Sequence, residues 1–119
     1  MIAVIFEVTP NDGCANGYLA QAAALKPLLE AMDGFISVER FTSVTNPGKY
    51  LSLSFWRDEA AVTAWRNEFH HRATQRTGRQ QLFADYRLRV ASVMRDYGLN
   101  ERDQAPTDSR AFHGLQELS

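Results

Sequence analysis

Hydrophobic and polar positions follow two different periods along this chain. Two-residue alternation or runs rich in β-branched residues occupy 2–8, 34–44, 49–56 and 86–94, and they predict four strands. Apolar residues at helical spacing in 18–32 and in 59–81 predict two helices. The order βαββαβ indicates an α+β fold, the ferredoxin-like arrangement with a four-stranded antiparallel sheet and two helices.

Turn-forming residues separate these elements. Asn46, Pro47 and Gly48 predict a hairpin between the second and third strands. Gly34, after Asp33, ends the first helix, and Asp58 is a candidate N-cap for the second. Pro27 should bend or locally break the first helix, because proline lacks the backbone N–H and its ring clashes with the preceding turn.

The last quarter of the chain differs in composition from the rest. Residues 1–95 form the predicted domain, and 96–119 form a polar extension with only Tyr97, Leu99, Phe112 and Leu115 as sizeable apolar anchors. We expect this tail either to cross onto a partner subunit or to lack fixed structure.

The predicted sheet has more apolar surface than two helices can cover. Ile5, Ile36, Val38 and Leu51 cannot all lie under the helices of one subunit. Burial against a second copy is the simplest way to remove such a face from water, so we expect a homodimer.

Composition excludes several classes of protein. A chain of 119 residues with 45 % hydrophobic content supports one folded domain, and a net charge of −1 argues against broad electrostatic capture of nucleic acid or anionic membrane. No signal peptide or membrane span is visible, which predicts a soluble cytoplasmic protein. Eleven of the thirteen basic residues are Arg, compatible either with ion pairs or with a site for an acidic ligand.

Several short motifs resemble one family. The stretches DGF at 33–35, SFW at 54–56, EAAVTAW at 59–65 and HHRATQ at 70–75 are similar to the antibiotic biosynthesis monooxygenase domain. The resemblance covers about residues 1–94. It implies a dimeric α+β barrel with a pocket between each sheet and its helices. It also implies oxygenation of quinols or aromatic polyketides without metal or flavin, so that we expect no cofactor.

A related branch of the family binds and degrades haem, and this chain departs from its pattern. That branch pairs an Asn on the first strand with a Trp and, ten residues later, a His on the second helix. Trp65 matches the Trp, but Gln75 stands where the His would be and Glu7 stands nearest the Asn. Haem degradation therefore remains an alternative, and His70 or His71 would have to supply the iron ligand from a shifted position.

A pocket for a flat aromatic substrate needs aromatic walls and a base. The candidate base residues are Glu7, His70 and His71, and the candidate substrate-binding residues are Phe6, Phe55, Trp65, Phe69 and Tyr86. Each has a structural alternative: Trp65 and Phe69 suit a core stripe, Glu7 suits an ion pair with Arg87 or Arg89, and the two His suit a solvated or partner-facing surface. A break of the helix near Asn67 would turn His71 inward.

Other function classes fit less well. An RNA-binding βαββαβ domain needs basic and aromatic residues on its third strand, and YLSLSFW contains no Lys or Arg. A non-catalytic dimer that binds a small hydrophobic ligand remains the main competitor, because it would use the same pocket.

Overall fold

A computed structural model describes residues 1–74 and 82–108, with side chains in the second helix described as far as Glu68. In chain order the elements are β1 (Ile2–Pro10), α1 (Ala15–Glu30), β2 (Phe35–Thr42), β3 (Tyr50–Trp56), α2 (Glu59–Thr74) and β4 (Phe83–Ser92). The strands form one antiparallel sheet in the order β2-β3-β1-β4. This confirms the predicted ferredoxin-like βαββαβ fold.

Side chains alternate between the two sheet faces, and the register assigns each of them to a side. Val4 lies opposite Ser54, and Phe6 opposite Ser52, on the face that carries the helices. We call this the helix face. The opposite side, the open face, carries Ile5 opposite Leu53 and Glu7 opposite Leu51.

The core lies between the helix face and the two helices. Its centre is Trp56, whose side chain is 1 % exposed and packs with Leu29 of α1 and with Ala61 and Val62 of α2. Burying large apolar side chains of the sheet and of both helices together stabilises their relative positions.

Two predicted helix signals are confirmed, and one expectation is wrong. The Asp58 carboxylate accepts a hydrogen bond of 2.9 Å from the backbone N–H of Ala61, which caps the start of α2. Gly34 adopts φ +86°, the left-handed conformation that follows α1. However, α1 continues through Pro27 without interruption. Pro27 lies in the last helical turn, so it removes one backbone hydrogen bond, to the carbonyl of residue 23, and the helix ends three residues later at Glu30.

The open face is only partly apolar. Ile5, Leu51 and Leu53 are half-buried, and Phe41 is 41 % exposed. Val38, which we expected among the surplus apolar residues, instead packs against the core on the helix face. Within residues 1–74 and 82–108, these side chains form an apolar patch on the open face that no helix covers.

The described part of the C-terminal extension makes local contacts. The Gln104 side chain accepts a hydrogen bond from the backbone N–H of Asp96, and the Arg102 guanidinium lies 5.1 Å from the ring centre of Tyr97. Phe112 and Leu115 lie outside the described residues, so the destination of the tail stays a prediction. Neither helix, as far as it is described, is long and apolar enough to cross a bilayer.

Candidate functional site

The helix face carries two groups of aromatic side chains. The first, the tyrosine cluster, lies under the N-terminal half of α1 and against β4. Its members are Phe6, Tyr18, Tyr50, Phe83 and Tyr86. The ring centre of Phe6 lies 5.7 Å from that of Tyr86 and 6.0 Å from that of Phe83. The ring centre of Tyr18 lies 5.8 Å from that of Tyr50 and 5.8 Å from that of Phe83. Tyr86 is 61 % exposed, so one edge of this cluster is open to solvent.

The second group, the tryptophan cluster, lies under α2. Its members are Trp56, Trp65 and Phe35, with ring centres 6.4 Å apart for the two indoles and 5.5 Å apart for Phe35 and Trp56. The indole N–H of Trp56 donates to the Ser54 hydroxyl at 2.9 Å, whereas Trp65 lies at the partly exposed margin of the core. Trp65 therefore borders both the core and the space beside it.

The structure brings together only some of the candidate residues. Phe6 and Tyr86 meet on the helix face, which is also the side on which Trp65 packs. Phe55 and Glu7 lie on the open face, because they alternate with Trp56 and Phe6 along their strands. Grouping Glu7 and Phe55 with the helix-face aromatics was wrong, since consecutive strand residues point to opposite sides of the sheet.

The remaining candidates cannot be placed. The side chains of Phe69, His70 and His71 lie outside the described residues. The backbone of α2 is continuous from Glu59 to Thr74, so the expected break near Asn67 is absent. Gln75 also lies outside the described residues.

Glu7 forms ion pairs on the open face. Its carboxylate accepts a hydrogen bond from Arg89 and lies 3.1 Å from the Lys49 ammonium. The hydrogen bond from Arg89, followed by that from Lys49, holds the pKa of Glu7 below its usual value. A carboxylate with a lowered pKa and two cationic partners is a weak base, so the structural alternative for Glu7 is favoured.

These charges border a shallow depression of about 250 Å³ on the open face. Glu7, Lys49, Arg87 and Arg89 line it together with Thr9, Asp85 and Tyr86. The Glu7–Arg89 pair was one of the two predicted partnerships. Lys49 was not foreseen, because it enters from the hairpin end of a neighbouring strand.

Sequence analysis missed two polar groups on the helix face. The hydroxyl of Tyr18 and the Nε atom of Arg40 are buried, and neither has a hydrogen-bond partner among the described residues. The Arg40 guanidinium lies 6.0 Å from the ring centre of Tyr18, and Arg40 pairs with Ser52 in the sheet. The alternation along β2 could have identified Arg40, because it places Arg40 on the same face of the sheet as Val38 and Thr42.

The described residues contain no group of three or more His, Cys, Asp or Glu side chains close enough to hold a metal ion. The haem pattern finds limited support around Trp65. The β1 residues that pack against the same core cluster are Ile2 and Val4, neither of which is an amide, and Glu7 lies on the other side of the sheet.

Known proteins resemble this chain in sequence and in fold. Residues 1–77 match the family model described as antibiotic biosynthesis monooxygenase. Over 107 residues the chain is 42 % identical to the jasmonate monooxygenase ABM of Pyricularia oryzae, a match covering 90 % of this chain and 50 % of that protein. This chain therefore spans about half the length of that relative.

Two further similar proteins are bacterial. The uncharacterized protein YqjZ of Bacillus subtilis is 30 % identical over 93 residues, which cover 78 % of this chain and 79 % of that protein. The structure of the haem-degrader MhuD of Mycobacterium tuberculosis, with two haems in its active site, superposes with a TM-score of 0.66. That match covers 82 % of this chain and 100 % of MhuD at 18 % identity, and it shows similarity of fold alone.

Proposed function

The chain belongs to the antibiotic biosynthesis monooxygenase family, and from this premise we propose that it is a monooxygenase that needs no cofactor and acts on a small aromatic substrate, such as a quinol. The observation that carries the proposal is the set of aromatic side chains on the helix face. Phe6, Phe83 and Tyr86 form a wall with one solvent-exposed edge, and Trp65 borders the same side of the sheet.

The proposed reaction uses the acidity of the substrate. A base removes a proton from a phenol or quinol, and the resulting anion passes an electron to molecular oxygen. Recombination forms a peroxide at the substrate carbon. When this carbon is a CH₂ group, it becomes C=O, one oxygen atom stays in the product and the other leaves as water. The protein holds the ring flat and keeps water away while the charge moves.

The base in this proposal is His70 or His71. Neutral imidazole titrates near physiological pH and suits proton transfer from a phenol. Glu7 is not proposed as the base, because it is engaged with Arg89 and Lys49 on the other side of the sheet.

A second candidate substrate comes from the jasmonate monooxygenase of Pyricularia oryzae. Its 42 % identity extends over 90 % of this chain. We include jasmonate as a candidate substrate beside the quinols. Jasmonate is not a phenol, so its monooxygenation needs two electrons from an added reductant, one oxygen atom entering the product and the other leaving as water.

The proposed oligomer is a homodimer that buries the open face. This face combines the half-buried Ile5, Leu51 and Leu53 with the more exposed Phe41.

Oxygen uptake tests the proposed activity directly. We expect the purified protein to consume oxygen with at least one member of a panel of quinols, without added metal or flavin. Jasmonate is assayed with an added two-electron reductant, because it is not a phenol. His70→Ala and His71→Ala should identify the base through a large loss of kcat by one of them. Glu7→Gln is the matched control and should retain kcat.

Retained rates in both His variants with a large loss in Glu7→Gln would reverse the assignment of the base. No oxygen uptake with any substrate, despite tight binding, would favour the non-catalytic binding dimer.

A further inference from the structure

We propose that Arg40 and Tyr18 form an anion-binding subsite that holds the carboxylate, or another oxyanion, of an acidic substrate. The inference rests on the proposed function, because it assigns the group that would bind one end of the substrate of that site. It adds a chemical class: the preferred ligand carries a negative charge at one end and an apolar body at the other.

The first observation is the position of Arg40 in the sheet. Arg40 of β2 pairs with Ser52 of β3, and Ser52 pairs with Phe6 of β1, so the three share one row across the helix face. The guanidinium is covered by α1, with the Tyr18 ring 6.0 Å away. An arginine on an edge strand such as β2 ordinarily extends into water, whereas Arg40 is partly buried on the helix face.

The second observation is that one buried donor of this guanidinium, the Nε–H, is unused among the described residues. The Nε atom of Arg40 is buried without a partner, and no ion pair of Arg40 occurs within residues 1–74 and 82–108. Two other arginines behave differently. Arg57 pairs with Asp33 and Asp58, and Arg89 pairs with Glu7. A partly buried guanidinium with a buried, unpartnered Nε–H is unusual, since buried polar groups are nearly always hydrogen-bonded.

The third observation is independent of the charge. The hydroxyl of Tyr18 is also buried without a partner, and the whole residue is 5 % exposed. Buried tyrosine hydroxyls usually find an acceptor. Two unsatisfied donors of different elements, one on α1 and one on β2, thus belong to neighbouring side chains, with the Arg40 guanidinium 6.0 Å from the Tyr18 ring centre. We propose that one anionic group accepts from both.

The chemistry of the donors selects the ligand. A guanidinium binds carboxylates through a planar fork, and a phenolic O–H donates readily to an anionic oxygen. The neighbouring surfaces are aromatic: Tyr50 lies 5.8 Å from Tyr18, and Phe6 lies two strands from Arg40 in the same row. A ligand bound here would place its anionic end at Arg40 and its apolar body along the tyrosine cluster.

Binding without turnover tests the subsite. The probes are benzoate, phenylacetate and 4-phenylbutanoate, each compared with its primary amide by calorimetric titration under nitrogen. We expect at least one acid to bind about tenfold or more tightly than its amide, and Arg40→Met to abolish that preference. Arg87→Met, which removes a strand arginine from the open face, is the matched control and should keep it. Equal affinities of all acids and amides, undetectable binding of every acid, or an unchanged preference in Arg40→Met would overturn the proposal.

Tyr18→Phe separates ligand binding from a structural role. Because the hydroxyl has no partner in the unliganded protein, its removal should leave Tm unchanged or raise it slightly, while acid binding weakens several-fold. A lowered Tm with unchanged binding of the acids would show that the hydroxyl serves the fold alone. Oxygen uptake is measured separately. If the acids bind more tightly than their amides but no oxygen is consumed, the proposed monooxygenase is refuted and the subsite is retained. If oxygen is consumed without that preference for the acids, the subsite is refuted and the monooxygenase is retained.

Discussion

The indole rings of Trp56 and Trp65 lie 6.4 Å apart, with 30° between their planes, and connect the end of β3 to the middle of α2. Trp56 is 1 % exposed, whereas Trp65 is only partly buried at the margin of the same core. Trp56 belongs to the buried core, which stabilises the fold, and Trp65 borders the side of the sheet on which we propose that the substrate binds.

This relationship predicts different consequences for the two tryptophans. Trp56→Ala should lower the free energy of unfolding by about 3–5 kcal/mol, the usual cost of removing a buried Trp side chain. Trp65→Ala should cost less than about 3 kcal/mol, because part of its ring already contacts solvent, and should greatly reduce oxygenase activity. Urea unfolding and oxygen uptake measure the two effects. Equal losses of stability would place Trp65 in the core.

Gly34 predicts a second stability effect. A Cβ at Gly34 would lie 2.6 Å from the Cβ of Ala61, and the residue adopts φ +86°. Gly34→Ala should therefore destabilise the fold by about 2–4 kcal/mol, from backbone strain together with overpacking. Gly48→Ala is the control, since Gly48 has φ +84° with no atom within 4 Å of a Cβ, and strain alone should cost about 1–2 kcal/mol.

A double variant separates the two contributions at Gly34. Ala61→Gly in the Gly34→Ala background should recover part of the loss, because it removes the atom that the new Cβ meets. If Gly34→Ala and Gly48→Ala are equally costly in urea unfolding, contact with α2 contributes nothing.

The Glu7 ion pairs predict a dependence of stability on pH. The pKa of Glu7 in the folded protein is held below the usual 4.5 by Arg89 and Lys49. Its contribution to stability is therefore complete above about pH 4.5 and is lost as pH falls through the lowered folded value. The Tm difference between the parent protein and Glu7→Gln should be largest near pH 6–7 and vanish in acid.

The matched control for this pH series is Glu39→Gln. Glu39 lies on the same side of the sheet, opposite Leu53, and forms no ion pair with any residue in the described ranges. Its Tm difference from the parent should stay small at every pH. A Glu7→Gln difference that persists at low pH would show that packing, not charge, is responsible.

The proposed dimer predicts that a charge on the open face separates the subunits. Leu53→Lys would bury an ammonium group in the interface opposite Glu39, and pairing with that carboxylate would not offset the cost of removing both charges from water. Light scattering should therefore show a monomer at concentrations where the parent is a dimer. Leu19→Lys, on an exposed part of α1, should remain a dimer. A parent protein that is monomeric in dilute solution would refute the proposed assembly.

Haemin titration distinguishes the oxygenase proposal from the haem alternative. We expect no sharp Soret band, because Gln75 stands where the haem-degrading pattern has its iron-ligating His, and Glu7 stands in place of the Asn. A tight one-to-one complex that disappears in His70→Ala or His71→Ala would establish the haem alternative, and Trp65→Phe would then test the role of the indole in that site.

Much of this architecture was determined by the sequence itself. The two periods of apolar residues, the Asp58 cap and the glycine turns specify elements whose described ends lie within three residues of those predicted. These features depend on neighbours in the chain, where propensity, capping and the alternation of strand side chains act locally.

Only the tertiary structure decided which side chains share a site. The alternation of side chains along β1 was visible in the sequence. Whether the helices cover the odd-numbered or the even-numbered residues of β1 depends on how α1 and α2 pack onto the sheet. That choice placed Phe6 with the helix-face aromatics and Glu7 with Lys49 and Arg89. Arg40 appeared to be one strand arginine among many. Its burial against Tyr18 arises from packing between residues distant in sequence, and the unused donors became visible only in the folded chain.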